Sequence, residues 1–176
     1  LIARSTRGKT ETILFNIDIE GSINKDKTAV LRVFAKMFYT HLGFYGENLK
    51  VAMLEQYIDQ LGKTEEFRRV FEAKKGKPWT EQRKAFAFNG KFIVPTLMEV
   101  LDMSEEDAKR WFNDKTAVEF SIARLVEDIK SYVNNQPDNF RLLFMIDEVG
   151  QYVGTDTDML LNLQSLTEKI GSECGG

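Results

Sequence analysis

Two short apolar runs, ILFNI at 13–17 and LLFMI at 142–146, stand about 120 residues apart, with nearly continuous helical patterning between them. Nothing else constrains the fold as strongly. Each run is too short for a helix and rich in aliphatic and aromatic side chains. Each is therefore expected to be a strand covered on both faces, as in a parallel sheet. Two parallel strands need a crossover between them, and two alone do not make a stable sheet. The expected class is α/β, predominantly helical, with few parallel strands and one large helical insertion. Residues 1–24 then hold a core strand and its flanks, 25–139 the insertion, and 140–176 the second strand and a following helix. Further strands are expected in flanking sequence or within the helical stretch.

The insertion reads as a series of amphipathic helices. Leu31, Phe34, Phe38 and Leu42 form one stripe, and Val51, Leu54, Ile58 and Leu61 another that stops at Gly62. Thr64 is placed as the cap of a helix carrying Phe67, Val70 and Phe71 and ending at Gly76. Pro78 opens a segment with Phe86 and Phe88 that breaks at Asn89-Gly90. A helix over 92–101 follows, with Pro95 in its first turns. Ser104-Glu-Glu-Asp107 resembles a capping box before Ala108, Trp111 and Phe112. Val118, Ile122, Leu125, Ile129 and Val133 mark a long helix, and Pro137 sits in the loop before the second strand. A final helix over 156–170 turns Leu160, Leu163 and Leu166 or Thr167 inward.

At 176 residues the chain is one ordinary domain by length, or one with a small appendage. A chain of this size buries roughly 70% of its unfolded surface without disulfides or a structural metal. The net charge of −3 argues against a protein whose main task is coating nucleic acid, while leaving room for a local basic patch. A single Cys, no secretory leader and no apolar run near the ~20 residues of a membrane span point to a cytoplasmic location. The chain opens on Leu1 and closes on Cys174-Gly-Gly without a final element, so it reads as a piece of something longer.

The segment Arg141-Leu-Leu-Phe-Met-Ile-Asp147-Glu148 has the form of a Walker B strand. A buried strand delivers two carboxylates at its carboxyl end, where open α/β sheets bind ligands. Asp147 is the candidate Mg²⁺ acid, and Glu148 the candidate that orients and polarises the attacking water. The plain alternative is a buried strand ending in two solvated acids. The loop that follows contains Gly150 and Gly154 and allows a close approach to a nucleotide. A matching phosphate loop has one weak candidate, Ala3-Arg-Ser-Thr-Arg-Gly8-Lys9-Thr10. It precedes a strand instead of following one and opening a helix, so it reads better as a basic loop.

Other residues weigh less. Asp18 and Glu20 end the first strand, and a four-carboxylate metal site with Asp147 and Glu148 is conceivable if the strands are parallel neighbours. Capping or solvation of the turn is the plainer expectation. His41 lacks a second ligand at metal spacing, and Cys174 lacks a His partner. Arg68-Arg69 and Lys74-Lys75-Gly76-Lys77 form a basic cluster interleaved with Glu65, Glu66, Glu72 and Glu81, which reads as a solvated helical face. The Phe residues at helical spacing read as core, with Phe44, Tyr45 and Tyr152 the aromatics expected at the surface.

Four stretches together, ILFNID at 13–18, LRVF at 31–34, HLGFYG at 41–46 and LFMIDEVGQYV at 143–153, resemble the large P-loop ATPase of bacterial BREX phage-resistance systems, the BrxC/PglY family. The likeness runs over essentially this whole chain and a middle slice of that much longer protein. It implies an AAA-like ATPase core of the additional-strand class, with the phosphate loop upstream of Leu1 and the sensor strand after Gly176. It implies ATP and Mg²⁺ as ligands of the parent and none for this piece alone. By the same resemblance Asp147 is the Mg²⁺ acid and Glu148 the catalytic acid. Asp18 falls in the family's Asn-Ile-Asp stretch without an assigned role. Partners implied are other proteins of the phage-defence system, with DNA association of the parent. The insertion at 25–139 would be a docking or regulatory surface. Two alternatives accompany this reading: a helical protein-interaction module without catalysis, and a metal-dependent nuclease using Asp18, Glu20, Asp147 and Glu148.

Overall fold

The computed structural model describes residues 8–20, 28–114 and 121–174. The fold is mostly helical with one small parallel sheet. Strand β1 (Thr10–Asn16) is followed by the single turn α1 (Ile17–Glu20), then α2 (Ala29–His41), α3 (Leu49–Gln60) and α4 (Thr64–Lys75). A short helix α5 (Trp79–Gln82) leads into a 3₁₀ segment (Arg83–Phe88), α6 (Gly90–Leu101) and α7 (Glu105–Asn113). Helix α8 (Ile122–Asn134), strand β2 (Arg141–Asp147), α9 (Val149–Val153) and α10 (Thr157–Cys174) complete the order.

The chain divides into two compact units, Leu1–His41 with Phe120–Gly176, and Leu42–Glu119. The first unit holds both strands, and α2 and α8 belong with them, so helical sequence between 25 and 139 contributes to both units. β1 and β2 pair in parallel, with Ile13 opposite Phe144, Phe15 opposite Ile146 and Asn16 opposite Asp147. Phe34 of α2 joins the strands, its ring 5.6 Å from Phe15 and 5.5 Å from Phe144. Beneath them Leu125, Val126 and Ile129 of α8 and Met159 and Leu166 of α10 are buried.

This sheet corrects the expectation of strands covered on both faces. Burial alternates along β1, with Ile13 and Phe15 inside and Thr12 and Leu14 outside. The same alternation in β2 leaves Leu143 and Met145 out. Parallel partners share a face. The helices cover the face of Ile13, Phe15, Phe144 and Ile146. The opposite face presents Leu14 (67% exposed), Met145 (53%) and Leu143 (46%).

The second unit has its own core, in which Val51, Leu54, Ile58, Phe67, Phe71, Trp79, Ile93 and Leu97 pack together. Trp79 stands edge-on to both Phe67 (5.1 Å) and Phe71 (5.0 Å). Helix α4 ends in the left-handed Gly76 and α7 starts with Ser104, whose hydroxyl accepts from the Asp107 amide. Thr64 is the first helical residue of α4, not its cap; its hydroxyl donates to Asp59 at 3.0 Å. In α10 the inward face is Met159 and Leu166, while Leu160 and Thr167 point out. Tyr152 is buried rather than exposed, and Phe88 is exposed rather than core.

Candidate functional site

Asp147 ends β2, in register with Asn16, so both face the carboxyl end of the parallel pair. Asp147 and Glu148 are exposed. The chain turns sharply there: Glu148 adopts φ 60°, ψ 23°. That left-handed conformation costs an L residue roughly 1 kcal/mol or more. It is held by the Asp147 carboxylate, which accepts the Glu148 amide at 2.8 Å, and by the Glu148 carbonyl, which accepts from Tyr152 N–H at 2.9 Å. Chemically, the strand end offers two adjacent oxygen anions and the Asn16 amide.

The remaining acids do not join them. Glu20 is paired with Lys36 at 2.8 Å, and the Asn16 side chain accepts the Asp18 amide at 3.0 Å. Among the described residues no three of His, Cys, Asp or Glu gather as a metal cluster. The four-carboxylate arrangement required of a nuclease is therefore not formed by Asp18, Glu20, Asp147 and Glu148. As for the weak phosphate-loop candidate, residues 3–7 lie outside the described residues. Gly8-Lys9-Thr10 runs straight into β1, with the Lys9 ammonium 2.5 Å from Glu11.

Sequence reading missed a cluster at the start of β1. The Glu11 carboxylate accepts from Tyr132 O–H at 2.7 Å, contacts His41 Nε2 at 2.8 Å and pairs with Lys9. Hydrogen bonds from Lys9, Tyr132 and His41 hold Glu11 down to a pKa of about 2, and burial beside Glu11 pushes Tyr132 up to about 12. His41 thus has a partner 30 positions away, and Tyr132 one 121 positions away, which no local spacing signals.

Unit 2 has a comparable hub. Glu55 accepts from Tyr45 N–H (2.6 Å), Trp79 Nε1–H (2.6 Å) and Arg83 (3.1 Å). A cleft of about 200 Å³ beside it is lined by Phe44, Glu55, Ile58, Asp59, Phe67 and Trp79 among others. In unit 1 the largest cavity described, about 720 Å³, runs along β2 between Ile129 and Val133 of α8 and Ile170 and Cys174 of α10. Neither Asp147 nor Glu148 lines these cavities. No protein-family profile and no solved structure matches this chain. No helix among the described residues is long and apolar enough to cross a membrane.

Proposed function

We propose that unit 1 is a slice of a nucleotide-hydrolysing α/β core and that unit 2 is a helical module carried on it for binding a partner. The observation that carries the first half is the parallel pairing of β1 and β2 with Asp147 and Glu148 at their carboxyl end. Open parallel sheets bind ligands at that edge. Two further features support it. The bare apolar face of Leu14, Leu143 and Met145 is what a parallel sheet normally covers with a second layer. In addition, the groove along β2 borders a strand edge that has no pairing partner among the described residues. On this reading, which follows the resemblance to the BREX ATPase, the phosphate loop comes from another part of the parent. Mg²⁺ supplies charge neutralisation at the phosphates when bound. Asp147 is a hard oxygen ligand suited to it, and Glu148, turned out of the strand line, orients the water and takes its proton.

The experiment is made on the full-length parent. Glu148→Gln keeps the size and hydrogen-bonding reach of the side chain but loses its charge. Nucleotide affinity is expected to survive while hydrolysis falls roughly a hundredfold or more, the scale of losing a general base. Asp147→Asn is expected instead to weaken Mg²⁺-dependent nucleotide binding. Steady-state ATPase rates with fluorescent-nucleotide titrations read both.

A helical interaction module without catalysis is the second reading. It is favoured by the independent core of unit 2. Unchanged hydrolysis in Glu148→Gln would leave this second reading standing and remove the first.

A further inference from the structure

Among the described residues of unit 2, Phe88 is the large apolar side chain that stands furthest out in water. Phe88 is 88% exposed. The segment carrying it is firmly anchored. Phe86 is buried against Phe112 (5.1 Å) and Trp111 (6.1 Å). Asn89 is buried, and its side-chain amide donates to the Gln82 carbonyl at 3.0 Å. Gly90 lies so close to Phe112 that a Cβ there would stand 2.6 Å from the ring. Phe88 is thus displayed on a packed corner, and the ring forgoes a full side chain's worth of hydrophobic burial.

The sequence around it is cationic. From 74 to 91 the sequence carries Lys74, Lys75, Lys77, Arg83, Lys84 and Lys91 against Glu81 alone. Glu99 takes Lys74 at 2.7 Å and Glu55 takes Arg83 at 3.1 Å. Among the described residues no carboxylate pairs with Lys75, Lys84 or Lys91. Lys75 at the end of α4 and Lys91 at the start of α6 both stand over the Phe92 ring, with Nζ 4.5 and 4.9 Å from its centroid.

We propose that this corner, Phe88 with Lys75, Lys84 and Lys91, binds single-stranded nucleic acid. The ring stacks on a base and the ammonium groups meet the phosphates. A duplex keeps its bases stacked on one another and offers the ring nothing. A polyglutamate peptide satisfies the cations but gives Phe88 no ring to stack on. The other exposed large apolar side chains of unit 2 are Tyr57, in α3, and Leu61, just after its last residue. The surface is independent of the strand-end acids, and its test does not depend on them.

Fluorescence anisotropy of a labelled single strand of about 20 nucleotides, titrated with the 176-residue chain at about 50 mM salt, reads the binding. Micromolar affinity is expected. It should fall with salt on a log–log slope of about −2, since each phosphate contact contributes about −0.7. Phe88→Ala is expected to weaken binding at least about fivefold while leaving the melting temperature unchanged, because the ring touches mainly solvent. Lys75→Gln with Lys91→Gln is expected to flatten the salt slope by about 1.4. A duplex of the same sequence and a polyglutamate peptide should both bind more weakly. No binding up to about 100 μM, or full affinity retained by Phe88→Ala, overturns the proposal. Polyglutamate binding as tight as the single strand also overturns it and identifies an acidic protein partner instead.

Discussion

Lys50 closes a helix end that sequence patterning leaves open. Its ammonium donates to the carbonyls of Trp111 (2.6 Å), Phe112 (3.0 Å) and Asp114 (2.6 Å), at the carboxyl end of α7. Those carbonyls have no partner inside the helix, and a cation there also meets the negative end of the helix dipole. Burial pushes the Lys50 pKa down, which the nearby Asp114 opposes. The ammonium also stands over the Trp111 ring, 4.8 Å from its centroid. Lys50→Met keeps most of the apolar stem and removes the ammonium, with its hydrogen bonds and its contact to the ring. It is expected to destabilise unit 2 by about 1–2 kcal/mol, the scale of leaving part-buried acceptors unpaired. Urea unfolding followed by Trp fluorescence measures it, and an unchanged midpoint would contradict the capping role. Lys63 works in the same way at Val100, the penultimate residue of α6, where it donates to the carbonyl at 2.6 Å. Neither lysine is distinguishable in the sequence from a solvated one, because the contacts span 61 and 37 positions.

At the scale of elements, Glu11 ties β1 to the end of α2 through His41 and to α8 through Tyr132. A second tie lies deeper: the Tyr39 hydroxyl donates to the buried Asp128 at 2.6 Å, and Arg124 donates to the same carboxylate at 3.1 Å. Burial and the Asp128 charge push the Tyr39 pKa far up, so the hydroxyl stays a donor. Glu11 yields a pH dependence with a definite sign. Its folded pKa of about 2 lies below the ordinary 4.5. Its contribution is therefore fully present above about 4.5 and lost as pH falls toward 2. Glu11→Gln is expected to lower stability at neutral pH and to make the chain less sensitive to acid between those values. Thermal melts of both proteins across that range would show the two curves converging. Parallel curves would mean that Glu11 is not the acid-sensitive group.

For the whole molecule, two cores imply two folding units. Residues 42–119 expressed alone are expected to melt cooperatively with helical circular dichroism, because the Trp79 cluster lies wholly within them. A non-cooperative melt would show that this core needs the rest of the chain. Much of this architecture is legible in residue order. The continuous apolar run of 142–146, the stop at Gly76 and the Ser104 cap depend on neighbours a few positions apart, and local sterics and hydrogen bonding decide them. Helices and strands were assignable on that basis. Which strand face is covered was not: ILFNI and LLFMI are apolar at most positions, and only the packing of α2, α8 and α10 selects Phe15 and Phe144 over Leu14 and Met145. Likewise Phe88 and Phe86 are two positions apart in the same apolar spacing, yet the corner set by Asn89 and Gly90 buries one and exposes the other. The acids Asp147 and Glu148 were legible as a pair, whereas their position beside Asn16 and the left-handed turn at Glu148 come from strand pairing. Short-range order is written in the chain because it costs little entropy to form. Long-range contacts such as Glu11 with Tyr132 exist only once the backbone has closed loops of more than a hundred residues, and the tertiary fold alone determines which side chains meet there.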